Sequence, residues 1–94
     1  GSLRRRIDAL DDELVRLLDR RAALARDVAK VKQASGDAVL DEDRERRIVE
    51  RLLSRSSTED RFPDEELRAI FRCIFEGSRR MQHERIHGAL RTDD

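Results

Sequence analysis

Apolar residues recur in steps of four and three along the first third of this chain, at Leu3, Ile7, Leu10, Leu14 and Leu17 and again at Leu24, Val28 and Val31. Such steps place side chains on one face of an α-helix, and when sustained they mark a seam against another helix. Only Arg21 interrupts the series, at the position where the next apolar residue should fall. A helix from Leu3 to Ala34 would be about 48 Å long at a rise of about 1.5 Å per residue. The chain has 94 residues, too few to wrap a rod of that length. Small domains bury only about two-thirds of the surface their unfolded chains expose, so a second chain is expected to cover part of it. Ser35-Gly36-Asp37 is turn chemistry that ends the rod.

Two further helices follow. Asp41-Glu42-Asp43 sets acids at the positive end of a helix dipole, and Arg46, Arg47, Arg51 and Arg55 come later, as the dipole favours. Ile48, Val49, Leu52 and Leu53 form its apolar stripe, and Ser54 to Arg61 reads as a polar loop. Pro63, read as the first helical position, with Asp64, Glu65 and Glu66 behind it, opens a third helix. Leu67, Ile70, Phe71, Ile74, Phe75, Met81 and Ala89 continue that helix at helical spacing. No segment has the alternation of a strand. The expectation is an all-α, three-helix protomer (long, short, medium-long) that forms an intertwined homodimer. One domain is expected over residues 3–91, with Gly1-Ser2 read as a remnant of expression and 92–94 as a tail.

Composition narrows the function. Charged residues are 45% of the chain and apolar ones 37%, without Trp or Tyr, which suits long amphipathic helices sharing a seam. Lys plus Arg and Asp plus Glu are equal at 21 each, so no net field draws the protein to nucleic acid or to an anionic membrane. Neither partner is expected, and any hold on an anion must come from local placement. Cys73 is the single cysteine and cannot form an internal disulfide, and no apolar run reaches membrane-spanning length. A cytoplasmic location fits best.

The informative residues are the polar ones set into apolar stripes, because a buried charge or amide is costly unless something satisfies it. Arg21 and Lys32, eleven residues apart, differ by only about 20° in helical azimuth and lie about 16 Å apart along the axis. Glu45 sits beside Ile48, Val49 and Leu52, with Asp41 one turn earlier on the same face. Ser78 and Gln82 fall on the stripe of the third helix. Any one of the six serves equally well as a structural bridge or a register setter. Together they suit a small polyanion that also carries hydroxyl and ether oxygens.

Weaker candidates are set aside on their chemistry. His83 and His87 are spaced like a metal pair but lie off the stripe with no third ligand at suitable spacing, so no metal is expected. Cys73 has no neighbour that would lower its thiol pKa and reads as ordinary packing. Arg4-Arg5-Arg6 reads as a solvated turn.

The segment from Leu3 to Asp11, with Arg20-Arg21 and Val28-Ala29-Lys30-Val31-Lys32, resembles the first helix of the all-helical chorismate mutases. Asp41-Glu42-Asp43-Arg44-Glu45 is similar to that family's second-helix motif, and Ile74-Phe75-Glu76-Gly77-Ser78 with Gln82 to its third. The likeness spans Leu3 to about Leu90, and its specificity lies in the combined spacing.

The resemblance implies an isomerase that rearranges chorismate to prephenate for Phe and Tyr biosynthesis, with no cofactor and no metal. It implies two sites per homodimer, each completed by Arg4 of the other subunit. Arg4, Arg21, Arg44 and Ser78 would hold the two carboxylates of chorismate, Lys32 and Gln82 would face its ether oxygen, and Glu45 with Asp41 would take the ring hydroxyl. Helix geometry agrees on Arg4: it precedes Arg21 by seventeen residues, about 25 Å along one helix, too far for both to grip one small molecule. The reaction is pericyclic, so Arg21, Lys32, Glu45 and Gln82 would act through charge and shape. Two alternatives share the fold: an isochorismate-pyruvate lyase, and a non-catalytic module that senses chorismate or prephenate. A plain coiled-coil adaptor would leave the inward polar groups unexplained. Whether the chain stands alone or belongs to a fusion with another enzyme of the pathway is open at this level.

Overall fold

A computed structural model describes residues 1–36, 41–55 and 60–89, with side chains described as far as Glu84. Its elements are helices α1 (Ser2–Ser35), α2 (Glu42–Leu53) and α3 (Asp64–Ala89), with no strand among the described residues. The expected long, short, medium-long order is met. Asp37 and the His87 side chain lie outside the described residues.

The ends of the helices follow from local chemistry. α1 starts at Ser2, one residue before the apolar series, with Gly1 at its N-cap position. It ends at Gly36, whose φ of 80° is the left-handed conformation that glycine adopts without a steric penalty. There the Gly36 N–H meets the Lys32 and Gln33 carbonyls. α2 starts one residue later than the acidic run: Asp41 is its N-cap, and its Oδ1 accepts the Arg44 backbone N–H at 3.0 Å. Pro63 likewise precedes α3 and is not its first residue; its carbonyl accepts the Leu67 N–H at 3.0 Å, and Asp64, Glu65 and Glu66 fill the first turn.

α3 packs on α1 and on α2, while α1 and α2 stand apart with a cleft between them. The molecule measures 52 × 32 × 17 Å, one layer of helices thick. A single layer cannot enclose a core. Among the described residues only Ala29, Phe75 and Gln82 are buried, and the α2 stripe of Ile48, Val49, Leu52 and Leu53 is half-buried. Phe71 and Phe75 pack against each other on α3 with their rings tilted by 59° and centroids 5.9 Å apart.

All of α1 from Ser2 to Arg20 is exposed, including Leu3 at 71%, Leu10 at 59% and Leu14 at 59%. A helix of fewer than about 15 residues is marginal in water without packing, and half of α1 extends past the region that α3 supports. The apolar stripe of that half is not covered by any other described residue.

Candidate active site

The cleft between α1 and α2, floored by α3, has a volume of about 260 Å³. Its walls hold seven of the eight residues expected at the site: Arg21 and Lys32 from α1, Asp41 at the α2 cap, Arg44 and Glu45 from α2, and Ser78 and Gln82 from α3. The eighth, Arg4, lies exposed near the far end of α1 and does not line the cleft of its own chain. Leu24, Val28, Ile48 and Phe75 supply the apolar part of the wall.

α1 and α3 are pinned together by polar groups that also face the cleft. Arg21 Nη1 donates to Ser78 Oγ at 3.1 Å, and its guanidinium carbon lies 5.6 Å from the centre of the Phe75 ring. The cation–π contact fixes the plane of the guanidinium and the hydrogen bond fixes its direction, so the fork is oriented before any ligand arrives. Gln82 is buried, and its Nε2 donates to the Ala25 carbonyl of α1 at 2.8 Å. One amide hydrogen is thus committed to the protein. The second hydrogen and the amide oxygen remain for a ligand.

On the α2 side, Asp41 commits one carboxylate oxygen to the helix cap. Glu45 pairs through Oε2 with Nη1 of Arg79, an α3 residue outside the set expected at the site. Arg79 falls four residues after Phe75 and three before Gln82, about 40° and 60° from them around α3, at the edge of the buried stripe. That spacing is a signal available in the sequence, while its meeting with Glu45 depends on where α2 packs.

Neither Lys32 nor Arg44 pairs its cationic head with a carboxylate among the described residues. Among the described residues, four cations, Arg21, Lys32, Arg44 and Arg79, face two carboxylates, Asp41 and Glu45, across this cleft. The excess of two positive charges sits on a chain whose net charge is zero. In a partly apolar cleft, unpaired cations attract an anion more strongly than they would in open water. The arrangement suits a compact dianion with a further hydrogen-bonding group.

Two other grooves adjoin the cleft. One, about 430 Å³, continues along α2 past Arg47 and Arg51. The other, about 700 Å³, is mainly apolar and is lined by Leu18, Ala22, Ile70, Ile74 and Met81 among others. Cys73 lies exposed at its edge. No helix among the described residues is long and apolar enough to cross a membrane.

Comparison with known proteins gives one family. The family described as chorismate mutase type II matches residues 3–83. A chorismate mutase of Methanocaldococcus jannaschii is 30% identical over 85 residues, covering 89% of this chain and 84% of that protein. A bifunctional chorismate mutase/prephenate dehydratase of Aquifex aeolicus is 36% identical over 74 residues, covering 77% of this chain and 20% of the larger protein. Among solved structures, a chorismate mutase (form II) of Thermus thermophilus superposes with a TM-score of 0.80 at 28% identity, covering 87% of this chain and 91% of that one.

Proposed function

The chain belongs to the type II chorismate mutase family, and we propose that the cleft between α1 and α2 carries out that family's rearrangement of chorismate to prephenate by charge and shape alone. The observation that carries this reading is the local excess of two positive charges in a cleft of an otherwise neutral chain. In this reading Arg21, Arg44 and Ser78 receive the two carboxylates of chorismate. Holding both selects the compact substrate conformer in which the reacting carbons approach, and orientation of this kind supplies several kcal/mol of a barrier. As the carbon–oxygen bond breaks, negative charge grows on the ether oxygen. Donors fixed there, Lys32 and the second amide hydrogen of Gln82, act more strongly on the transition state than on the ground state and so raise turnover. Glu45 accepts from the ring hydroxyl, with Asp41 nearby.

The working unit in this reading is a homodimer in the cytoplasm. The exposed stripe from Leu3 to Leu17 and the apolar groove beside Leu18 both support a second copy as the missing cover. Burying one large aliphatic side chain fully stabilises by about 1.5 to 3 kcal/mol, so a seam of four or five outweighs the entropic cost of pairing. Antiparallel pairing of two α1 helices about a point midway between Arg4 and Arg21 brings the partner's Arg4 to the open end of the cleft.

Loss of chorismate absorbance on adding the purified chain, with prephenate and not pyruvate as product, tests the reaction; an unchanged spectrum refutes it. The shared site has its own test. Arg4→Ala chains and Lys32→Ala chains should each be nearly inactive, yet after verified subunit exchange the mixture should recover about one-quarter of the parent's sites, the fraction left intact by random pairing. Mixing without recovery refutes a site shared between subunits.

A further inference from the structure

Arg79 lines the cleft and grips Glu45, yet the rearrangement as described above gives it no task. Unlike Arg46–Asp43 and Arg61–Asp64, whose partners stand three residues apart, the Arg79–Glu45 pair joins two helices, reaching from α3 to α2. Its side chains are 33% and 26% exposed, so the pair is partly withdrawn from water and is screened less than a surface pair.

We propose that Arg79 is a positioning residue for the rearrangement, which acts through Glu45 to hold one carboxylate oxygen ready for the ring hydroxyl of the bound substrate. The inference rests on the function assigned above. Three physical arguments carry it. Glu45 belongs to a cleft suited to a dianion, and an unbalanced carboxylate there would repel the ligand; the Arg79 guanidinium cancels that charge locally. A glutamate side chain has several rotamers, and fixing them before binding removes an entropic cost from the complex. Arg79 donates to Oε2 alone, which leaves Oε1 with its lone pairs to accept a hydroxyl proton. Arg79 itself needs no contact with the substrate.

The test uses the full chain with Arg79→Ala, Arg79→Gln, Arg79→Lys, Glu45→Ala and the double variant Arg79→Ala/Glu45→Ala, each with its thermal midpoint recorded. Arg79→Ala, or Arg79→Gln should the alanine variant fail to fold, is expected to lower kcat/KM by about tenfold to a hundredfold, the range for loss of one charge-assisted hydrogen bond. Arg79→Lys should recover part of the loss. In the Glu45→Ala background, removing Arg79 should change kcat/KM by less than about threefold, because coupled residues do not contribute independently. With a chorismate analogue methylated at the ring hydroxyl, the Arg79 penalty should shrink in the same way, which a purely structural brace between α2 and α3 would not produce. A parent-like Arg79→Gln enzyme, an undiminished loss in the Glu45→Ala background, or an undiminished loss with the methylated analogue would overturn the proposal. A parent chain that leaves chorismate unchanged would instead defeat the underlying function, so the two failures are distinct.

Discussion

Replacing Lys32 with alanine lowers turnover by about 10²- to 10³-fold, the usual consequence of removing one donor aimed at developing oxyanion charge. The helices should survive it. Lys32 lies in the last turn of α1, where a cation favours the helix dipole by about 0.3 to 1 kcal/mol, and it forms no ion pair among the described residues. Stability therefore falls little while the rate falls steeply, and the loss should appear in kcat more than in KM. Steady-state kinetics beside a thermal melt separate the two quantities. Turnover within about tenfold of the parent would show that Lys32 does not face the reacting oxygen. Lys32→Arg should also work poorly, since a planar fork does not replace a compact ammonium directed at one atom.

Gln82→Glu moves activity toward acidic pH, and the geometry around Ala25 determines how far it recovers. The parent amide has two hydrogens, one given to the Ala25 carbonyl and one left for the ligand. An ionised carboxyl has none and opposes both the carbonyl and the charge growing on the ether oxygen. A protonated one has a single hydrogen, enough for either partner but not for both. Activity should thus rise as pH falls, yet stop short of the parent's level. The site is buried, which disfavours the charged form and raises the folded-state pKa of the new carboxyl above its unfolded value. The folded chain then binds more protons than the unfolded one between those two pKa values, so stability is fullest below the unfolded pKa and is lost as pH rises through the folded one. A pH–rate profile and a series of melts should show both trends. Profiles that overlay the parent's would remove Gln82 from the ether oxygen and from the α1–α3 contact alike.

The placement of Gln82 shows how far periodicity reaches. Its position seven residues after Phe75 is enough to put it on the inward stripe of α3, and the amide is buried there. Periodicity leaves open whether an inward amide serves the ligand or the fold, since both readings need the same azimuth. The hydrogen bond to the Ala25 carbonyl shows that part of it serves the fold. Asp41 is similar: its place one turn before Glu45 is legible, but its work as the α2 cap depends on where the helix begins, which differs by one residue from the acidic run. Pro63 misleads by the same single residue, because a proline is as acceptable just before a helix as at its first position.

The three helices, their order, the Gly36 stop of α1, and the membership of Arg21, Lys32, Glu45, Ser78 and Gln82 on inward faces are all legible in the order of residues. These are local facts, fixed by a period of 3.6 residues and by capping chemistry within a few positions of one another. That α1 is too long for the remaining residues of this chain to wrap is legible too. The relations between helices emerge only when they pack: that α3 floors the cleft between α1 and α2, that Arg21 is oriented by Ser78 and Phe75, and that Arg79, at the edge of the α3 stripe, meets Glu45. Arg21 and Ser78 stand 57 residues apart and Glu45 and Arg79 stand 34 apart. No repeat within a single helix encodes which azimuth of one helix will face another across such distances, because that choice is made by the packing of whole faces and not by the residues that happen to meet.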